Sequence, residues 1–191
     1  MNETAQIEYY QDKLVRRLSG KSFEHSLRTK DTATRLAGRH GVNHWQAAIA
    51  GLLHDYARDY SRPELLTAAR QAGLKIKWVE EKNPYLLHAP LGAVLVHSEL
   101  GVDDPLIIGA IRKHTIGGLE MNDLDRLVFL ADVIEPMRKF PGLAEIRKLA
   151  DEDLRAAFKE AYFKQLQFVL AKRAFIHPLS IKVWNTMLAE E

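Results

Sequence analysis

Apolar side chains recur at helical spacing along nearly the whole chain, and no run alternates as a half-buried β-strand would. The first segment, for example, places four apolar residues on one helical face: Ile7, Tyr10, Leu14 and Leu18. The 191 residues, 47% of them hydrophobic, are enough to bury one sizeable core. We therefore predict an all-α fold in a single domain over residues 1–191, with a core at about 20–140 and C-terminal helices over 143–191 packed on it.

Capping residues and helix breakers divide this pattern into separate helices. Ser22 is predicted as the N-cap of a helix that runs toward Gly41, which places His25 in the first turn. Asn43 and Gln46 resemble a capping box for the next helix. A long helix is expected at about residues 154–173. The other predicted boundaries are Ser61-Arg62-Pro63-Glu64, Gly73, Asn83-Pro84, Gly101, Asp104-Pro105, Gly117-Gly118, Pro136 and Pro141-Gly142.

The charge balance and the cysteine count exclude several classes of function. The chain has 27 basic and 25 acidic residues, and a net charge of +2 is too small for a dedicated nucleic-acid-binding protein. Because cysteine is absent, disulfides, thiolate metal ligands and a cysteine nucleophile are excluded. The N-terminus lacks the pattern of a signal peptide, and the apolar runs are too short to span a bilayer, so we expect a cytoplasmic protein.

Six histidines and aspartates, each on a predicted helix or at its end, form a candidate metal site. Imidazole nitrogens and carboxylate oxygens together suit borderline divalent metals, namely iron, manganese, cobalt or zinc. The pattern therefore suggests a metal-dependent hydrolase. The candidate ligands are His25, His54, Asp55, His88, His114 and Asp132.

The local sequence around two of these carboxylates supports the metal hypothesis. Asp132 lies in the apolar segment 127–134, where an unpaired buried charge would be very unfavourable. Asp55 poses the same problem after the apolar end of its helix, and a shared metal would neutralise both carboxylates. An ion pair between Asp132 and Arg112 or Arg138 is the alternative. The remaining histidines are expected to be unrelated to the site: His40, His44, His97 and His177.

Five segments that surround the candidate ligands follow one another in a distinctive order. They are Ser22-Phe23-Glu24-His25-Ser26-Leu27-Arg28, Leu52-Leu53-His54-Asp55-Tyr56-Ala57, His88-Ala89-Pro90-Leu91-Gly92-Ala93, Ile111-Arg112-Lys113-His114-Thr115 and Phe129-Leu130-Ala131-Asp132-Val133-Ile134-Glu135-Pro136-Met137-Arg138. In this order they resemble the HD-domain phosphohydrolase superfamily, and more closely its YqeK-type symmetrical diadenosine tetraphosphate hydrolases of bacteria. The resemblance covers about residues 5–180.

The resemblance implies a dinuclear centre with iron as the expected metal. One ion would bind four ligands (His25, His54, Asp55 and Asp132), and the other would bind His88 and His114, with Asp55 bridging the two. Two metals roughly 3.5–4 Å apart would activate a water as hydroxide and clamp the phosphate oxygens, so no serine or cysteine nucleophile is required. The expected catalytic residues are His54, Asp55, His88 and His114.

The family's activity implies central cleavage of diadenosine tetraphosphate into two molecules of ADP. Ser22, Thr115 and Arg138 are the predicted nucleotide contacts, and Arg28 and Arg58 are further candidates. Aromatic rings can stack on the adenine, and three residues are open to either a pocket or a core interpretation: Tyr85, Phe140 and Phe175.

Two alternative functions remain open on sequence grounds. The chain can be an HD hydrolase of another nucleotide, such as a nucleoside monophosphate, a cyclic nucleotide or a guanosine alarmone. It can also be a non-catalytic module stabilised by a metal, although six candidate ligands favour an open catalytic site over a closed structural one. A homodimer is possible, but the apolar residues of the last helix are expected to cover the core: Ile181, Val183, Trp184 and Leu188.

Overall fold

A computed structural model describes residues 2–189, which contain eleven α-helices, one 3-10 helix at Pro84–Leu87 and no β-strand. The all-α prediction is therefore confirmed. In chain order the α-helices are α1 Glu3–Arg17, α2 Gly20–His40, α3 His44–Leu53, α4 Arg62–Gln71, α5 Trp78–Lys82, α6 His88–Leu100, α7 Pro105–Lys113, α8 Asp123–Ile134, α9 Leu143–Glu152, α10 Leu154–Ala171 and α11 Pro178–Ala189.

Most predicted boundaries coincide with observed caps. Ser61 and Glu64 form a reciprocal capping box at the start of α4. Gly41 and Gly101 end α2 and α6 with φ angles of +66° and +68°, a left-handed conformation that glycine adopts without steric cost. The segment after Asn83 was predicted as one helix but begins as a 3-10 turn before α6.

The N-cap of α2 is Ser19, so the prediction of Ser22 was wrong by three residues. The helix begins at Gly20, and the Ser19 hydroxyl accepts a hydrogen bond from the Ser22 backbone amide. Ser22 instead lies in the first turn, where its hydroxyl donates to the Asp59 carboxylate over 2.7 Å. Ser19 takes the capping role because its backbone is extended at the point where the helix starts. His25 consequently belongs to the second turn.

The capping box predicted at α3 is only half formed. The Asn43 side chain accepts a hydrogen bond from the Gln46 backbone amide, as expected of an N-cap. The Gln46 side chain does not return to Asn43 but donates to the Asp104 carboxylate over 2.8 Å. Since Asp104 caps α7, this hydrogen bond ties the starts of α3 and α7 together.

Helices α2 and α3 pack unusually closely, and this contact positions two of the candidate ligands. A Cβ atom added to Gly51 would lie 3.0 Å from the Ala33 Cβ and 3.1 Å from the Lys30 Cα, so a larger residue would push the two helices apart by a few tenths of an ångström. The close approach leaves the rings of His25 and His54 with centroids 5.2 Å apart. The packing of α2 on α3 thus places His25 of α2 beside His54, which follows α3.

Helix α8 lies in the centre of the core and carries Asp132 in its last turn. Its residues Leu127, Val128 and Leu130 are fully buried, as the apolar pattern predicted. Phe129 packs against Phe158 of α10, with ring centroids 5.0 Å apart. The burial of α8 on several sides fixes the direction in which Asp132 projects.

The C-terminal helix α11 covers the core with only part of its apolar surface. Val183 is buried and Trp184 packs against the core, as predicted, whereas Ile181 and Leu188 are exposed. His177, just before α11, is buried beside Glu80 and Lys77, and burial followed by the Lys77 charge lowers its pKa. Within residues 2–189, no helix has both the length and the apolar surface that crossing a bilayer requires.

Candidate metal centre

The structure brings together all six predicted ligand residues, which five helices contribute. His25 lies in the second turn of α2, and His54 and Asp55 follow directly after α3. His88 opens α6, His114 follows α7, and Asp132 lies near the end of α8. Three overlapping groups of these residues each place their ligand atoms within 4.8 Å of one another: His25-His54-Asp55, His54-His114-Asp132 and Asp55-His88-His114.

The Asp55 carboxylate lies between two pairs of histidines. Its Oδ2 atom is 3.7 Å from His25 Nε2 and 3.4 Å from His54 Nε2. Its Oδ1 atom is 3.3 Å from His88 Nε2 and 3.5 Å from His114 Nε2. Each oxygen therefore faces a different pair, which is the arrangement that a carboxylate bridging two ions requires.

Asp132 completes the group around His25. Its Oδ1 atom is 2.9 Å from His25 Nε2 and 3.9 Å from His54 Nε2. The Arg138 guanidinium also pairs with this carboxylate, so the ion pair that the sequence left open as an alternative is present together with the histidine contacts. The same Oδ1 atom of Asp132 therefore faces Arg138 and both histidines.

Backbone carbonyl groups orient the imidazole rings of His54, His88 and His114. The Nδ1 atoms of His54, His88 and His114 each face the carbonyl oxygen of the residue three positions earlier in the chain. Because a carbonyl oxygen only accepts hydrogen bonds, each Nδ1 carries the hydrogen and each Nε2 keeps a free lone pair. The three Nε2 lone pairs therefore point into the site, which is the form in which neutral histidine binds a metal.

The arrangement fits a metal ion on physical grounds. His54 Nε2 is fully buried with no hydrogen-bond partner, which is costly unless an ion binds it. The Nε2 atoms of His88 and His114 are 3.0 Å apart, and two facing lone pairs repel each other. A cation held by both nitrogens would replace this repulsion with two favourable contacts.

The electrostatics of the site also favour a cation. Burial raises the pKa of Asp55, but its interactions with His54, His114 and His88 outweigh burial and hold the pKa well below the ordinary value. Burial likewise raises the pKa of Asp132, whereas its hydrogen bond with His25 and the Arg138 charge lower it. Both carboxylates are therefore anionic at neutral pH.

Glu135 contacts the candidate ligand His25, and the sequence reasoning did not identify it. Its Oε1 atom is 3.3 Å from His25 Nδ1, and its Oε2 atom accepts hydrogen bonds from Arg28 Nε and the Met137 amide over 2.7 and 2.8 Å. A carboxylate behind a ligand histidine orients the ring and raises its basicity. The available signal was a second carboxylate at the end of the apolar α8 segment, three residues after Asp132.

The predicted nucleotide contacts lie at different distances from the ligand atoms. The Thr115 hydroxyl is 3.1 Å from the Nε2 atoms of both His88 and His114. Arg138 Nη2 is 3.4 Å from His25 Nε2, and its Nε donates to the Asp132 carbonyl. Ser22 contacts Asp59 rather than a ligand residue. Thr115 and Arg138 therefore border the metal centre directly, and Ser22 lies farther out.

Arg17 of α1 anchors the segment that follows Asp55. Its Nε donates to the Tyr56 carbonyl over 2.8 Å, and its Nη2 donates to the Tyr60 hydroxyl over 2.7 Å. The Tyr56 hydroxyl donates in turn to Glu99 of α6, which also pairs with Arg17 over 2.7 Å. Burial and the hydrogen bond to Glu99 raise the pKa of Tyr56 to about 12. This network fixes the backbone beside the central carboxylate.

The chain is similar to proteins of known family along most of its length. A family model described as "HD domain" matches residues 22–137, which span all six candidate ligands. A protein of Halalkalibacterium halodurans named bis(5'-nucleosyl)-tetraphosphatase, symmetrical, is 34% identical over 91% of this chain and 92% of its own length. A protein of Bacillus subtilis with the same name is 35% identical over 90% of this chain and 92% of its own length.

A solved structure extends this similarity to the fold. The structure is described as a predicted HD superfamily hydrolase involved in NAD metabolism from Clostridium acetobutylicum. It superposes with a TM-score of 0.92 at 35% identity and covers 96% of this chain and 97% of its own. The fold, the matched family model and the full-length relatives agree, and the chain belongs to the HD domain family.

Proposed function

We propose that this HD phosphohydrolase cleaves diadenosine tetraphosphate symmetrically at a dinuclear metal centre. The observation that carries the proposal is the position of Asp55, which directs one carboxylate oxygen at each of two histidine pairs. The names of the two relatives described above support the choice of substrate. The proposed reaction consumes one water and releases two molecules of ADP.

In the proposed site the six side chains divide into two sets that share Asp55. His25, His54 and Asp132 would hold one ion, and His88 and His114 would hold the other, as the family resemblance implies. Two bound ions supply an activated water at neutral pH and stabilise negative charge on the phosphate oxygens. Iron is the metal that the resemblance implies, while manganese, cobalt and zinc suit the same ligands.

The protein's own residues orient the centre. The carbonyl oxygens behind His54, His88 and His114 fix their tautomers, so these imidazoles present lone pairs without rearrangement. The Glu135 carboxylate likewise faces the Nδ1 atom of His25 and orients that ring. Because the rings are oriented in advance, little reorganisation is required when an ion or a phosphate binds.

Arg138 and Thr115 are the proposed contacts to the phosphates beside the centre. The guanidinium of Arg138 is bound to Asp132 yet its side chain is 41% exposed, so part of its donor fork faces solvent. A planar fork of N–H groups can bind two phosphate oxygens at once. The Thr115 hydroxyl borders the pair His88 and His114 and can donate to an oxygen placed there.

The test is product analysis by chromatography, with purified, metal-supplemented protein and diadenosine tetraphosphate as substrate. ADP as the sole product would support both the hydrolase and central cleavage. AMP together with ATP would keep the hydrolase and refute the cleavage position. A third outcome is that diadenosine tetraphosphate gives no product while a nucleoside monophosphate, a cyclic nucleotide or a guanosine alarmone is hydrolysed. That nucleotide would then replace diadenosine tetraphosphate as the assigned substrate.

A further inference from the structure

Thr115 lies in the segment of residues 114–122, which joins α7 to α8. Its hydroxyl is 3.1 Å from the Nε2 atoms of both His88 and His114, so it faces the same space as their lone pairs. Outside a regular helix, backbone carbonyl groups need partners from other elements, and those partners fix the direction of the backbone. The position of the Thr115 hydroxyl therefore depends on the groups that bind the backbone of this segment.

Helix α10 donates hydrogen bonds to two consecutive carbonyl groups of this segment. Gln165 Nε2 donates to the Thr115 carbonyl over 2.6 Å, and the Tyr162 hydroxyl donates to the Ile116 carbonyl over 2.7 Å. Burial raises the pKa of Tyr162 to about 12, so its hydroxyl keeps the proton that it donates. Because Gln165 and Tyr162 are three positions apart, they lie on the same face of α10. One helix thus holds two adjacent peptide groups beside the metal centre.

The two donors differ in what else they contact. The Tyr162 ring also packs in the core against Phe129 and Phe158, with centroids 5.5 and 5.6 Å apart. Gln165 and Thr115 are only half-buried, so water is able to satisfy the Thr115 carbonyl when the amide is missing. The Gln165 hydrogen bond is therefore not needed to avoid an unpaired carbonyl. Its effect is to fix the direction in which that carbonyl points.

We infer that Gln165 is a positioning residue, which holds the Thr115 hydroxyl beside His88 and His114 through the Thr115 carbonyl. The inference rests on the proposed function, because Thr115 is there a proposed contact to a phosphate oxygen. Helix α10 carries none of the six candidate ligands, so Gln165 acts on the reaction only through Thr115. Without the Gln165 amide, the carbonyl turns toward water and the hydroxyl of the same residue leaves its place.

The test is a double-mutant cycle between Gln165→Met and Thr115→Val. Methionine has nearly the length and the helix propensity of glutamine but no N–H donor, and valine keeps the branched shape of threonine without the hydroxyl. Each single variant should lower kcat/KM for diadenosine tetraphosphate about tenfold, which is the effect of losing one hydrogen bond to a charged oxygen. The double variant should lie within about twofold of Thr115→Val, because no hydroxyl is left for Gln165 to place.

Calorimetric titration of the metal-loaded full chain with inorganic phosphate gives a second readout that needs no turnover. The dissociation constant should rise about tenfold in each single variant and no further in the double variant. Gln167→Met is the matched control, since Gln167 lies on the same helix but is exposed. It should leave kcat/KM and phosphate affinity within about twofold of the unmodified protein. Gln165→Leu, which also lacks a donor, should reproduce the losses seen in Gln165→Met.

Three outcomes would overturn the inference. The first is that Gln165→Met changes neither kcat/KM nor phosphate affinity. The second is that Gln165→Met lowers both by the same factor with and without the Thr115 hydroxyl, which would show that Gln165 acts elsewhere. The third is an equal loss of metal affinity in Gln165→Met, which would trace the effect to His114. Failure of the proposed function is a different result: the unmodified protein would release no ADP from diadenosine tetraphosphate, while the phosphate titrations would still test Gln165.

Discussion

Replacing Glu135 by glutamine tests whether the residue behind His25 supports the metal centre. The side chain of Glu135 is 3% exposed and faces three groups: Arg28 Nε, the Met137 amide and His25 Nδ1. A glutamine has nearly the same shape but only one acceptor oxygen. Its amide nitrogen must therefore face either the Arg28 and Met137 donors or the His25 ring, and at least one hydrogen bond is lost.

The size of the effect follows from the burial of the ion pair. Breaking a fully buried pair costs about 3–5 kcal/mol, and an exposed pair contributes roughly 0.2–1 kcal/mol. The Arg28 side chain is 27% exposed, so we expect an intermediate loss of about 2 kcal/mol from the free energy of unfolding. For a chain of this length that lowers Tm by about 4–8 °C. Loss of the group that orients a ligand histidine should weaken metal binding by about 10–100-fold.

Thermal unfolding in chelator measures the first effect, and a metal titration of the apoprotein measures the second. Glu24→Gln is the matched control, since Glu24 is the other acidic partner of Arg28 but lies 3.8 Å away and is 64% exposed. It should change Tm by no more than about 2 °C and leave metal affinity unchanged. Equal metal affinity in Glu135→Gln and the unmodified protein would refute the orienting role of Glu135.

Three further predictions concern the core of the site and the stability of the chain. Asp55→Ala should abolish turnover and metal binding while the circular dichroism spectrum stays helical. The control Asp103→Ala, at an exposed site, should retain turnover and metal binding. Full activity of Asp55→Ala would refute the dinuclear mechanism. Gly51→Ala should separate α2 from α3 and cost about 1–3 kcal/mol in denaturant unfolding, whereas Gly20→Ala, with open space around it, should not destabilise the protein. Burial lowers the pKa of His177 below 6.5, so its contribution to stability is present above that pH and is lost as pH falls through the lowered pKa. The unfolding free energy of His177→Gln should fall less steeply below about pH 6.5, and an unchanged slope would contradict this assignment.

The six candidate ligand residues could be proposed from the sequence because their chemistry conflicts with their surroundings. A carboxylate within an apolar helix, such as Asp132, requires a cation, and this requirement is visible before the fold is known. Helix boundaries were predictable wherever a cap acts locally, as at Ser61 and Gly101. The observed caps confirm these helix boundaries.

The features that the sequence did not reveal depend on long-range contacts. Ser19 and Ser22 are equally good caps by residue type, and only the helix start observed at Gly20 distinguishes them. The partner of Gln46 is 58 residues away, and that of Arg28 is 107 residues away. Glu135 could not be recognised as the group behind His25 without knowing that α2 packs against the end of α8.

The origin of the ligands in five separate helices affects the lifetime of the folded protein. His25 and Asp132 are separated by more than 100 residues in the chain, yet their nitrogen and oxygen atoms lie 2.9 Å apart. Until α2, α3 and α6–α8 are docked together, no partly folded chain presents the full ligand set. Bound ions should therefore act mainly by slowing unfolding, with little effect on the folding rate. Under metal limitation the chain would open and be degraded faster, so metal supply would set its abundance as well as its activity.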